Sequence, residues 1–204
     1  SDLIDALTLA LLDCILDDMK RWHLQAFYPT IAMNISARSL ASREFASQII
    51  RRVERARVSP TALVFEITES ALVSDLATAL GVLGRLRLKG FGLSIDDYGT
   101  GFSSMQQLSR LPFTELKIDR SFVCRAHEHW NLRALLESAI ATGTRLGLKT
   151  VAEGIETRQE LDLLRGLGCH HAQGYLIAAA MPAGNVRPWM HDDGARVRAL
   201  CVAA

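Results

Sequence analysis

"LSIDDYGTGFSS", residues 93 to 104, runs from an apolar stretch into two adjacent acids, Asp96 and Asp97, and then into a loop of small residues. Neighbouring carboxylates at the mouth of a buried element repel each other and lose hydration. Something must make that arrangement tolerable, and the stretches on either side indicate what it is.

Moving outward, short β-type runs alternate with helical ones. "IAMNIS" (31–36), "LVFEIT" (63–68), "FGLSID" (91–96), "ELKID" (115–119), "LKTVAEG" (148–154) and "HAQGYLI" (171–177) read as strands. Residues 3–24 carry Ile4, Leu7, Leu11, Ile15, Met19 and Trp22 at helical spacing, with Asp2 as N-cap. Phe45, Ile49, Val53 and Ala56 mark a second helix, broken by Pro60; Leu76, Leu80, Leu83 and Leu86 mark a third that stops at Gly90. A short helix around Met105–Leu108, one over 131–146, and one opened by a capping box of Thr157 and Glu160 complete the pattern. Strands alternating with helices specify an α/β fold with a largely parallel sheet. With 204 residues, 49% of them hydrophobic, the chain buries the core of one domain, taken as residues 1–204.

The polar residues fall at the strand ends. Asn34, Glu66, Asp96 with Asp97, Lys117, Glu153 and Gln173 all sit near a C-terminal strand end. A lone Asn or Glu there reads as a cap or a surface residue; six strand ends doing it together read as a site. In a closed (β/α) barrel those ends converge on one rim, where barrel enzymes build active sites. Four carboxylates on one rim repel prohibitively without cations. Oxygen ligands with no His or Cys among them suit hard cations, Mg²⁺ or Mn²⁺. Where the strand gives way to a loop, both Asp96 and Asp97 can turn to the rim, Asp96 bridging two ions and Asp97 binding the second. A two-metal clamp serves phosphoester hydrolysis. Lys117 then balances charge, or accepts a proton if burial and nearby cations lower its pKa.

Bulk properties narrow the partners. With 23 basic and 22 acidic residues and a net charge of +1, the chain has no long-range field for polymeric nucleic acid. Cys14, Cys124, Cys169 and Cys201 are far apart, which argues against a disulfide framework or zinc site and for a reducing cytoplasm. "ALTLALL" (6–12) is too short to span a membrane, no signal peptide opens the chain, and the lack of an initiator Met suggests a piece of something longer. "HEH" (127–129) and "CHH" (169–171) place their histidines facing apart, and "RRVERAR" (51–57) reads as a solvated helix face.

Six motifs in order, "NISA" (34–37), "FEITES" (65–70), "DDYGTGFSS" (96–104), "LKIDRSFV" (116–123), "VAEGIET" (151–157) and "QGYL" (173–176), resemble the EAL-domain family of bacterial cyclic di-GMP phosphodiesterases, over residues 3 to 183. The resemblance implies a modified TIM (β/α)8-type barrel with an antiparallel first strand, and hydrolysis of cyclic di-GMP to linear pGpG with Mg²⁺ or Mn²⁺. By the same resemblance, Asn34, Glu66 and Asp96 are ligands of a first ion, and Asp96, Asp97 and Glu153 of a second. Lys117 corresponds to the water-activating lysine and Gln173 to a substrate-site glutamine. Glu69 corresponds to the glutamate anchoring the loop after the Asp pair, where Gly99 and Gly101 permit motion. That loop and the following helix also imply a homodimer contact.

Some positions depart from the family pattern. The Glu-Ala-Leu motif is absent; "ESAL" (69–72) is not it, since the family's Glu, with an Arg after it, lies upstream of Asn34 and so before Ser1. The barrel is therefore expected to lack its first strand here. "AAAMPAG" (178–184) stands in place of the family's usual run, Tyr98 stands where Phe is usual, and no diguanylate cyclase motif occurs. The expected reading is a cytoplasmic phosphodiesterase domain fused to a sensory or regulatory domain, with no membrane segment. The alternatives are a cyclic di-GMP-binding sensor without activity and a protein-interaction module. Survival of the Asp pair and the lysine favours the enzyme.

Overall fold

The structure, a computed structural model, describes residues 2–36, 38–69, 76–99, 108, 110–192 and 194. Its strands are β1 (Ile31–Asn34), β2 (Leu63–Thr68), β3 (Gly92–Tyr98), β4 (Glu115–Ile118), β5 (Lys149–Ala152) and β6 (His171–Ala172). They form one sheet in the order of the chain, β1-β2-β3-β4-β5-β6, and every neighbouring pair is parallel. The helices are α1 (Asp2–His23), α2 (Arg43–Ala56), α3 (Leu76–Leu88), α4 (Arg120–Val123), α5 (Trp130–Arg145), α6 (Arg158–Gly166) and α7 (Ala183–Asp192). Sequential parallel strands with helical crossovers are the repeating unit of a TIM-type barrel. Among the described residues β1 and β6 each pair on one side only, so the barrel is open between them.

Alternation along the strands sorts side chains to two faces. Met33, Phe65, Ile67, Leu93, Ile95, Leu116 and Ile118 are buried in the main core. The register aligns the other face: Asn34 opposite Glu66, Glu66 opposite Ser94, Ser94 opposite Glu115, and Lys117 opposite Val151. That face lines a cavity of about 400 Å³, walled by Ala32 of β1, Val64 and Glu66 of β2, Lys117 of β4, Val151 of β5 and Gln173 after β6. Glu66, Glu115, Lys117 and Gln173 thus share one concave surface.

Most helices lie where the sequence put them. Ser42 Oγ accepts from the Phe45 N–H (3.3 Å) to open α2, whose Phe45, Ile49 and Val53 are buried, and Arg57 closes it in the left-handed conformation. The Thr157/Glu160 capping box opens α6 as expected.

Other expectations needed correction. Asp2 is already the first helical residue of α1, not its cap. The buried face of α1 is Leu9, Leu12, Leu16, Met19 and Trp22, whereas Leu7 and Leu11 are 63% and 50% exposed. Two apolar stripes share this helix, and periodicity cannot say which one meets the core. The last strand is two residues long, not seven, because the chain turns at Gly174. Helices α4 and α7 had no clear sequence signal; α7 even contains Pro188. Of the helix expected at Met105–Leu108, all but Leu108 lies outside the described residues, as do Ala37, Gly101 and "SAL" of 70–72. No helix among the described residues is long and apolar enough to cross a membrane.

Candidate metal centre

Lys117 reaches inward from β4 and is the centre of the site. Its Nζ lies 2.9 Å from Glu66 Oε1 on β2, 3.1 Å from Asp96 Oδ1 on β3 and 2.6 Å from Glu153 Oε1 just past β5. The lysine side chain is 5% exposed, so the pairs are screened little by solvent. Glu153 is placed by continuation of the ladder, its N–H donating to Ile118 O (3.1 Å).

Asp96 and Asp97 reach the same rim by a route the sequence did not reveal. The strand expected to end at Asp96 does not give way to a loop there; β3 runs on to Tyr98, with a register shift against β4 between Ile95 and Tyr98. At that irregularity Asp97 takes a left-handed φ of 56°. A regular strand would point the two acids to opposite faces; the bulge brings both to one. The Asp97 N–H donates to Asp96 Oδ1 (3.2 Å). As a result, Asp96, Asp97 and Glu153 each offer an oxygen within 4.8 Å of the others, the one such His/Cys/Asp/Glu group among the described residues.

Electrostatics show what the cluster lacks. Burial opposes the Lys117 charge, but the carboxylates of Glu153 and Glu66 outweigh it and hold the ammonium well above its ordinary value. Burial pushes Glu66 and Glu153 upward, Lys117 pulls them down, and Asp96 adds repulsion; the net direction is up for both. Asp97 is likewise raised by burial, then by Asp96 and Asp119. The lysine is firmly charged, while burial makes Glu66, Asp97 and Glu153 resist ionising in spite of it. Such a set has room for further positive charge. Its donors are all oxygens, which fits a hard divalent cation.

The remaining expected residues take their places around this centre. Asn34 ends β1 in register with Glu66 and is exposed. Gln173 is exposed on the cavity wall, its N–H donating to Ala152 O (2.8 Å) and its carbonyl accepting from Ile155 N (3.1 Å). Glu69 is buried, and its Oε2 accepts from the Gly99 N–H (3.1 Å), just after the Asp pair. The structure therefore brings Glu66, Asp96, Asp97, Lys117 and Glu153 into one cluster and leaves Asn34 and Gln173 at its margin. His170 is occupied elsewhere, its Nδ1 bonded to Thr150 Oγ1 (2.8 Å). Arg51 and Arg52 of the basic run pair with Glu44 and Asp13 on the surface.

Two supports escaped the sequence reading. Asp119 adds a further negative charge near Asp97 and accepts from the Ser121 N–H (2.9 Å); its place one residue past β4 was the available signal. Glu160 bonds the N–H groups of Glu156 and Thr157 through Oε2 (both 3.0 Å) and that of Arg125 through Oε1 (3.1 Å). The capping half of that arrangement was legible, but the bond to a residue 35 positions away had no local signal.

Known proteins resemble this chain in sequence and in fold. RocR of Pseudomonas aeruginosa, a cyclic di-GMP phosphodiesterase, is 39% identical over 152 residues, 74% of this chain. The chain spans 39% of RocR's own length and 22% of some other curated relatives. The solved PaMucR phosphodiesterase in complex with c-di-GMP superposes with a TM-score of 0.84 at 36% identity, covering 91% of this chain and 75% of that one. BlrP1 of Klebsiella pneumoniae, solved with manganese and cyclic di-GMP, gives 0.77 at 26% identity over 85% of this chain and 44% of its own. The sequence model of the EAL domain matches residues 1–180. A match over most of the chain, on a sheet that gathers the same ordered motifs at one rim, leaves a single assignment: this chain belongs to the EAL domain family.

Proposed function

We propose that this domain hydrolyses cyclic di-GMP to linear pGpG in bacterial second-messenger signalling. The observation that carries the reading is the convergence of Asp96, Asp97 and Glu153 beside Lys117; the relatives named for this reaction and the neighbours solved with the nucleotide support it.

Asp96, Asp97 and Glu153 would hold one Mg²⁺ or Mn²⁺, and Asn34, Glu66 and Asp96 a second. When bound, the ions supply Lewis acidity, which activates water and stabilises charge on the phosphoester oxygens. Glu69 fixes the backbone after the Asp pair, and Gln173 faces the bound nucleotide. Lys117 holds its proton while three carboxylates surround it. It can act as a base only once cations have drawn those carboxylates away; otherwise it supplies positive charge.

Residues 1–204 are read as the larger part of the catalytic domain, whose open side between β1 and β6 takes the strand with the Glu-Ala-Leu motif. The intact protein is read as a cytoplasmic homodimer with a sensory or regulatory domain attached. Incubation of the full-length protein with cyclic di-GMP and Mn²⁺, followed by chromatography, tests the reading. Linear pGpG that vanishes in excess chelator supports it. Binding without cleavage would make the domain a sensor, and absence of both would make it an interaction module.

A further inference from the structure

Gly99 is gripped on two sides. Its N–H is bound by Glu69 Oε2, and the Phe122 ring lies against its α-carbon so closely that an added Cβ would fall 1.8 Å from Cε2. Its φ of +101° follows the φ of +56° at Asp97, so two left-handed residues flank Tyr98. At Asp97, which is not a glycine, such a conformation persists only where the surroundings over-determine it. The polar grip acts on the amide, and the ring packs against the α-carbon.

Phe122 is itself well fixed. It belongs to α4, which starts three residues after Lys117 and is capped by Asp119 through the Ser121 N–H. Arg120 at its first position pairs with Glu156 (2.8 Å), and the N–H of Arg125 just beyond it is held by Glu160. Gly154, next to Glu153, lies under Arg120, where a Cβ would fall 2.4 Å from Cγ. The segment 119–125 therefore touches the chain that follows Asp97 and the chain that follows Glu153, directly past the strand that carries Lys117.

We propose that Phe122 is a positioning residue: through Gly99 it holds Asp97 in its left-handed conformation, and so sets the distance between Asp97 and Glu153 at which both face one cation. The proposal deepens the metal-centre reading and rests on it. Residues that support metal ligands from behind commonly carry ten- to hundredfold effects on metal affinity.

The test uses the full-length protein with Phe122→Ala, Phe122→Leu and Phe122→Tyr. Amide hydrogen exchange at Gly99 is read without metal, Mn²⁺ affinity by calorimetric titration, and the melting temperature alongside. The expected result is about tenfold or greater weakening of Mn²⁺ binding in the Ala and Leu variants. Faster exchange at Gly99 should accompany it, and Phe122→Tyr, which keeps the ring, should restore both. A lower melting temperature with unchanged Mn²⁺ affinity overturns the proposal and reduces Phe122 to filler. Unchanged exchange at Gly99 overturns it too. If the unsubstituted protein binds no Mn²⁺, the metal-centre reading itself falls and the proposal with it, an outcome separable from the others because it appears before any substitution is made.

Discussion

Lys117 occupies the position where positive charge is most needed, which makes its removal informative. Replacing it with Met leaves the buried Glu66 and the half-buried Asp96 and Glu153 uncompensated, at a cost of about 3–5 kcal/mol. Added Mn²⁺ should recover part of that loss, so the melting temperature of Lys117→Met should rise more with Mn²⁺ than that of the unsubstituted protein. Equal metal-induced shifts would show that the ion does not take over the lysine's partners. Lys117→Arg keeps the charge but not the readily shed proton; lost turnover with retained nucleotide binding assigns a base role, and retained turnover assigns an electrostatic one. Asp96→Asn should abolish hydrolysis and weaken Mn²⁺ binding, since Asp96 pairs with Lys117 and is one of the three grouped acids. Full turnover by Asp96→Asn would refute its bridging role. The identities of these residues were legible because acids at the ends of apolar runs are costly and so stand out. The bulge that turns Asp97 inward was not, because a φ of 56° in a non-glycine residue is set by its neighbours and not by its own type.

Among the elements, α6 carries the most informative side chain in its first turn. Burial opposes the charge of Glu160, but the N–H groups of Glu156, Arg125 and Thr157 outweigh it and hold the carboxyl below its ordinary value of 4.5. The folded state thus takes up this proton at lower pH than the unfolded chain. The stabilisation is complete above about pH 4.5 and is lost as pH falls through the depressed folded value. Glu160→Ala should cost about 1–3 kcal/mol at neutral pH, as buried N–H groups lose their acceptor. The difference from the unsubstituted protein should shrink on acidification, measured by urea unfolding at pH 7 and pH 4. A difference that stayed constant would mean that the carboxylate charge contributes nothing. Helices with one apolar stripe, such as α2, could be read to the correct face. In α1, Leu3, Leu7 and Leu11 form a second stripe that stays in solvent, and only the neighbouring elements decide between the two.

At the scale of the molecule, the alternation of strands and helices gave the class, since a helix between consecutive strands returns the chain to the same end of the sheet and makes them parallel. How far β6 would extend was not written locally, since Gly174 sits against the Ile155 backbone, a contact between distant segments. Among the described residues, β1 and β6 present unpaired sides. Residues 1–204 produced alone should therefore self-associate with rising concentration by sedimentation velocity, and the full-length protein should do so less. Equal association in both would place the contact elsewhere. The sheet also has a history built into its order. Because each strand among the described residues pairs only with its neighbours in sequence, the sheet can grow by one unit at a time as the chain leaves the ribosome, the newest edge receiving the next strand. Synthesis delivers Glu66 first, then Asp96 and Asp97, then Lys117, and Glu153 last. The counter-ion thus leaves the ribosome before the final acid does.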